Sequence, residues 1–207
     1  MGLLSKVFGN ARKPEGKLGQ MMAKAMNGSS HAKMADWGMQ YLPEKANAVC
    51  DFGCGGGRNV GELLKRYPEA KVCGLDYSEV SVATSREYNA EEIKSERCKI
   101  LQGDVSAISF NDETLDLATA FETVYFWPGL AKCFGEIYRI LKPGGTFLVV
   151  NEADGEDGKN EKWEKIIDMK TYTRKEIAAA MTSAGFTDIE TFHHENKSWI
   201  AVRARKK

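Results

Sequence analysis

Residues 51–58 read Asp51-Phe52-Gly53-Cys54-Gly55-Gly56-Gly57-Arg58, directly behind an apolar run and directly ahead of an amphipathic stretch. A glycine-rich turn between a buried strand and a helix constrains the fold strongly. It is where open α/β sheets bring main-chain amides of a helix N-terminus against a nucleotide-like ligand. Without a Cβ the turn can take positive φ angles, and a ligand can approach the backbone closely. Four glycines in five positions exceed what an ordinary flexible turn requires.

The rest of the chain agrees with such a sheet. Beyond Pro43, apolar runs alternate with amphipathic segments, the pattern of strands joined by crossover helices in a mostly parallel sheet. Strands are expected at 48–52, 71–75, 99–102, 115–121 and 146–151. Helices are expected at 58–67, 80–94 (entered through Ser78), 130–141 and 174–184 (capped by Thr173). The last two strands, 187–194 and 198–203, lie too close together for a crossover and should form an antiparallel hairpin. Shorter helical periodicity at 19–26 and 31–41 suggests an N-terminal extension, its first dozen residues fraying, so the expected division is a helical cap, 1–44, on a domain, 45–207.

Spacing decides among ligands. A phosphate-binding loop needs GxxxxGK, but Arg58 stands five positions after Gly53. The dinucleotide fingerprint GxGxxG also fails, because Arg58 or Val60 occupies the place of its third glycine. ATP and NAD become secondary readings.

The remaining pattern, acid-x-Gly-x-Gly-x-Gly at Asp51, Gly53, Gly55 and Gly57, resembles the class I S-adenosylmethionine (SAM)-dependent methyltransferases. Val72-Cys73-Gly74-Leu75-Asp76-Tyr77-Ser78, Gln102-Gly103-Asp104-Val105, Asp116 to Glu122, Leu141-Lys142-Pro143-Gly144-Gly145 and Ala184-Gly185-Phe186 are similar to successive segments of that family, over about residues 45–205. The resemblance implies a three-layer Rossmann-like sandwich with seven strands in the order 3-2-1-4-5-7-6, the last antiparallel. It implies that Asp76 binds the two ribose hydroxyls of SAM, that Asp104 accepts from the adenine amino group with Val105 on the ring, and that Asp51 orders the loop and, through water, the ligand's amino group. Two carboxylate oxygens suit a diol on chemical grounds alone. The implied cofactor set is Asp51, Gly53, Cys54, Gly55, Gly57, Asp76, Tyr77, Asp104, Val105 and Phe121, with SAM as methyl donor and S-adenosylhomocysteine (SAH) as product.

A sulfonium methyl group is already activated, so positioning an acceptor in line supplies much of the rate without a covalent intermediate. The loop 121–128, rich in aromatic rings able to shape a pocket and face a cation, is the acceptor-side candidate. Tyr125, Trp127 and the N-terminal Trp37 are the expected pocket residues, while Phe126 reads as core. Glu122, Tyr125 and His31 are the catalytic candidates. Related enzymes that methylate adenine or amide nitrogens carry Asn or Asp and then Pro-Pro-Tyr here, and Phe121-Glu122-Thr123-Val124 departs from that.

No metal is expected. The five cysteines form no CxxC pair and read as buried thiols in a reducing, cytoplasmic setting. His193 and His194 should face opposite sides of a strand. The acidic loop at 152–161 lacks calcium-loop spacing and reads as solvated. A formal net charge of zero disfavours a nucleic-acid partner, and no apolar run approaches the roughly 18 residues of a membrane span. The acceptor is therefore expected to be a small molecule. Three alternatives remain open: an RNA or protein methyltransferase, a SAM-binding protein without catalysis and, more remotely, an NAD-dependent dehydrogenase. Oligomeric state is left undetermined.

Overall fold

A computed structural model describes residues 15–157, 164 and 169–207. Seven strands form one sheet: β1 Ala48–Phe52, β2 Lys71–Asp76, β3 Cys98–Gln102, β4 Leu115–Phe121, β5 Leu141–Asn151, β6 Thr187–His193 and β7 Ile200–Arg205. Their order is β3-β2-β1-β4-β5-β7-β6, as expected. All neighbouring pairs from β3 to β5 are parallel, and β7 runs antiparallel to both β5 and β6. Because these strands run parallel, the carboxyl ends of β1, β2 and β4 lie on one edge, where ligands meet such sheets.

The described α-helices are α1 Gly16–Met26, α2 Ser29–Met39, α3 Arg58–Arg66, α4 Glu79–Tyr88, α5 Ala90–Lys94, α6 Leu130–Ile140 and α7 Arg174–Ser183. One apolar cluster lies between the sheet and α6 and α7, around Phe134, Phe147, Ile137 and Ile177. A second lies on the opposite face, where Leu63, Leu64, Leu148 and Val150 meet Met34 and Met39 of α2. Gly38 is the contact point: a Cβ there would lie 2.5 Å from Val150, so only glycine lets α2 lie this close to β5.

Both expected caps are present. Ser78 accepts from Ser81 N–H at 3.3 Å, and Thr173 forms a reciprocal capping box with Glu176. The expected helix 80–94 is instead two helices. Asn89 breaks it, and its amide donates to Gly57 O and Ser85 O, both at 3.0 Å, tying the break to the glycine loop. The solvated reading of the acidic loop also needs correction. Asp154 is buried and pairs with Arg174 Nη1 at 2.7 Å, and Glu156 pairs with Lys175 Nζ at 3.0 Å, so α7 neutralises these acids. The expectations for the first dozen residues and for the loop at 158–161 lie outside the described residues.

The cysteine reading changes as well. Cys50 and Cys73 are direct register partners on β1 and β2, with Cα atoms 4.5 Å apart, and form a disulfide. Strand register brings together two residues that spacing alone leaves unrelated. Cys54, Cys98 and Cys133 are buried free thiols. Among the described residues no helix is long and apolar enough to cross a membrane.

Candidate functional site

A cleft of about 240 Å³ opens at the carboxyl edge of the sheet, and a second hollow of about 50 Å³ adjoins it, so only the first can hold a nucleoside-sized ligand. The first is lined by Gly53 and Gly55 of the loop, Asp76 ending β2 with Tyr77 beyond it, Asp104 and Val105 after β3, and Phe121 ending β4 with Glu122 and Thr123 beyond it. Phe126, Trp127 and Pro128 form the far wall, with Ala23 from α1 above.

The loop conformation explains its glycines. Gly53 has φ +76°, and a Cβ there would sit 1.9 Å from Thr123 Oγ1. Gly55 has φ +51°, but its missing Cβ points into open space. At Gly53 the protein itself excludes a side chain; at Gly55 only a ligand would. Gly57 faces Ser85 rather than the cleft, and Gly56 is approached by the Ala23 carbonyl of α1 and by Asn27 just beyond that helix. Asn27 Nδ2 donates to Gly56 O at 3.0 Å, so the N-terminal segment braces the loop directly.

The acids sit differently from one another. Asp76 accepts from Gly55 N–H through Oδ2 and from Ser78 N–H through Oδ1, both at 2.9 Å. It thereby links the loop to the N-cap of α4. Burial raises its pKa, while the amides of Ser78 and Gly55 oppose the rise. Asp104 is exposed, with one oxygen accepting from Ser106 N–H at 2.7 Å. Asp51 lies beneath the loop outside the cleft lining, accepts from Thr119 Oγ1 at 2.8 Å, and is pushed by burial up to about 7. Cys54 is also beneath the loop, its thiol facing Ser85 and pushed well up by burial.

Beyond β4 the aromatic loop divides its roles otherwise than expected. Phe126 and Trp127 line the cleft, with Trp127 Nε1 donating to Thr123 Oγ1 at 3.2 Å. Tyr125 is buried behind the wall, and its hydroxyl donates to Glu122 Oε1 at 3.0 Å. The one-turn 3₁₀ helix Val124–Phe126 turns consecutive rings to different sides, which the linear sequence does not reveal. Trp37 also departs from expectation. It packs against Tyr41, His194 and Trp199, with ring centroids 5.3, 5.6 and 6.1 Å away, and lines neither hollow. Six helical positions separate it from His31, a rotation that puts the two about 120° apart on α2. His31 therefore faces the second hollow while Trp37 faces the β6–β7 hairpin.

Glu122 lines both hollows and has φ +56°, an unusual backbone state for a residue with a side chain. Burial pushes its carboxyl up to about 7, against hydrogen bonds from Glu152 N–H and Tyr125. Ser81 and Ala23 line the cleft without having been singled out, whereas Thr123 belongs to the expected acceptor-side loop and Phe126, read as core, lines the cleft instead. Of these, Ser81 had a signal in its place in the first turn after the Asp76 loop; Ala23 had none.

Known proteins resemble this arrangement. A protein-family model described as a methyltransferase domain matches residues 50–149. The sterol 24-C-methyltransferase of Neurospora crassa is 31% identical over 163 residues, 74% of this chain and 42% of that protein. The sterol 24-C-methyltransferase of Candida albicans is 30% identical over 161 residues, 70% of this chain and 43% of that one. The chain thus spans about two fifths of these relatives' length. Among solved structures, a SAM-dependent methyltransferase from Aquifex aeolicus superposes with a TM-score of 0.76 at 19% identity, covering 91% of this chain and 98% of that one. Geranyl diphosphate C-methyltransferase from Streptomyces coelicolor A3(2), solved with geranyl diphosphate and SAH, gives 0.75 at 14% identity, covering 85% and 79%. At these identities the structural likenesses establish the fold.

Proposed function

The chain belongs to the class I SAM-dependent methyltransferase family, and from that premise we propose that it binds SAM in the larger cleft and transfers the methyl group to a small-molecule acceptor entering beside Glu122. One observation carries this reading: Asp76 and Asp104, on neighbouring strand ends, face a single cleft whose third wall is the glycine loop. The ribose diol would exchange for part of the hydrogen bonding that Asp76 now gives Gly55 and Ser78, and adenine would lie between Val105 and the wall of Phe126 and Trp127. Gly53 and Gly55 would admit the methionine part. Asp51, out of contact with the cleft, would act by holding the loop and β4 together through Thr119.

On this reading α1 and α2 are a cap, 1–44, over a domain, 45–207, with Ala23 and His31 closing the two hollows from above. Glu122 is the acceptor-side carboxylate, held by Tyr125 and the Glu152 amide. The small-molecule acceptor is supported by the sterol and geranyl diphosphate named for the related enzymes. A cytoplasmic setting is supported by the three free thiols, and the Cys50–Cys73 disulfide counts against it.

Calorimetric titration of the full chain with SAM, SAH and NAD is the direct test. The reading expects SAM and SAH to bind at micromolar affinity and NAD not to bind; NAD binding without SAM would overturn it. Incubating the protein and methyl-labelled SAM with fractionated cell extract then tests the acceptor. Label in metabolites supports a small molecule, and label confined to RNA or protein refutes it.

A further inference from the structure

Cofactor binding leaves one group of side chains at this edge unused. His31 on α2, Glu122 just beyond β4 and Glu152 just beyond β5 each direct one ligand atom to a common point, the three atoms lying within 4.8 Å of one another. His31 Nδ1 is sealed from solvent without a hydrogen-bond partner, 3.8 Å from Glu152 Oε2 and so too far for a hydrogen bond. Both hydrogen bonds to Glu122 fall on Oε1, leaving Oε2 uncommitted. Lone pairs thus converge from three sides. The cation lining the adjoining hollow cannot neutralise them, because Arg58 is engaged by Asp36 at 2.6 Å.

We propose that His31, Glu122 and Glu152 form a binding site for one first-row divalent cation, of the Mn²⁺ or Zn²⁺ kind, at the acceptor end of the cleft. One imidazole nitrogen with two carboxylates is a mixed donor set that suits Zn²⁺ through the imidazole and Mn²⁺ through the carboxylates, whereas Ca²⁺ and Mg²⁺ favour oxygen-only sets. Metal bonds of about 2.0–2.2 Å hold their ligand atoms at most about 4.4 Å apart. With the ligand atoms within 4.8 Å of one another, the site needs a contraction of at most a few tenths of an ångström, which rotation of the two partly exposed side chains, His31 and Glu152, supplies. Three protein ligands leave coordination positions open toward the second hollow, beside Asn27 and Asn59, as in metal sites that take a water or substrate oxygen. The ligands come from three separated segments, so no spacing rule would have found them.

The test uses the full chain, stripped with chelator and dialysed against Mn²⁺ or Zn²⁺ alone. The expected result is one ion per chain, with affinity reduced at least tenfold in His31→Asn and in Glu152→Gln and unchanged in His194→Asn, which lies outside the cluster. Circular dichroism melts verify that each variant folds, and SAM titration without metal should be equal in Glu152→Gln and the parent chain. Failure of either ion to bind stoichiometrically up to millimolar concentration overturns the proposal. So does binding that survives both His31→Asn and Glu152→Gln, which would leave these residues as an ion pair only. SAM binding and metal binding are read separately, so loss of one assignment leaves the other standing.

Discussion

The two ends of the cleft are built by different means. At the proposed cofactor end, Asp76 ends β2 while Gly53, Gly55 and Asp104 belong to the turns that follow β1 and β3, and the local backbone determines where each group sits. At the proposed acceptor end, Glu122 beyond β4 is joined by Ala23 and His31 from helices that precede the sheet in the chain. The first end is a property of local connections, and the second is a property of how α1 and α2 dock. Variants at the first end should act through the ligand or the loop alone, whereas variants at the second should separate stability from binding.

Paired substitutions in the glycine loop make the largest break. Gly53→Val would drive its side chain into Thr123, at a Cβ contact of 1.9 Å, so both thermal stability and SAM binding should be lost. At Gly55 a Cβ meets no protein atom within 4 Å, so Gly55→Val should abolish SAM binding with a smaller loss of Tm than Gly53→Val, its positive φ costing about 1–2 kcal/mol. Equal Tm values for the two variants would contradict the distinction drawn between them.

Next comes Asp76→Ala. Removing contacts to a ribose diol should weaken SAM binding by roughly 1–3 kcal/mol, about 5- to 150-fold, in a calorimetric titration. Because Asp76 also accepts from Gly55 and Ser78, a smaller loss of stability should accompany it. Unchanged affinity would remove Asp76 from the site.

Asp51 tests the layer beneath the loop through pH. Burial lifts its carboxyl from an ordinary 3.8 to about 7, so the folded state holds its proton where the unfolded chain has released it. Its contribution to stability is then full below about 3.8 and is lost progressively as pH rises toward about 7. The apo parent chain should lose more Tm than Asp51→Asn when pH is raised from 5 to 8, by a difference on the order of several degrees. Parallel profiles would show that Asp51 is ionised throughout. Asp76 and Cys54, the titratable groups facing it, are still present in the variant and are common to both profiles.

The smallest effect on the cleft is expected from Trp37→Ala. Loss of its contacts with Tyr41, His194 and Trp199 should cost roughly 2–3 kcal/mol of stability, with SAM affinity unchanged within about twofold. A marked fall in SAM affinity would mean that the docking of α2 is coupled to the cofactor end. Deletion of residues 1–30 is the opposite case: it removes Ala23 and the Asn27 bond to Gly56 and should therefore weaken SAM binding as well as methyl transfer.

The sequence by itself determined the strands and helices of the sheet and which acids stand at its carboxyl edge. Strand and helix periods are local, and an acid at the end of a strand stays at that edge whatever packs above it, so alternation placed Asp76 and Asp104 at strand ends, while the strand order and the roles of these acids followed from the resemblance to the methyltransferase family. The tertiary structure decided what depends on rotation about an element and on register between elements. It turned Trp37 toward the hairpin and His31 toward the cleft, and set Phe126 in the wall with Tyr125 behind it. It also joined Cys50 to Cys73 and brought Glu152 to Glu122. A helix turns its side chains by about 100° per residue, and a sheet pairs residues far apart in sequence. Those relations exist only once the chain has closed on itself.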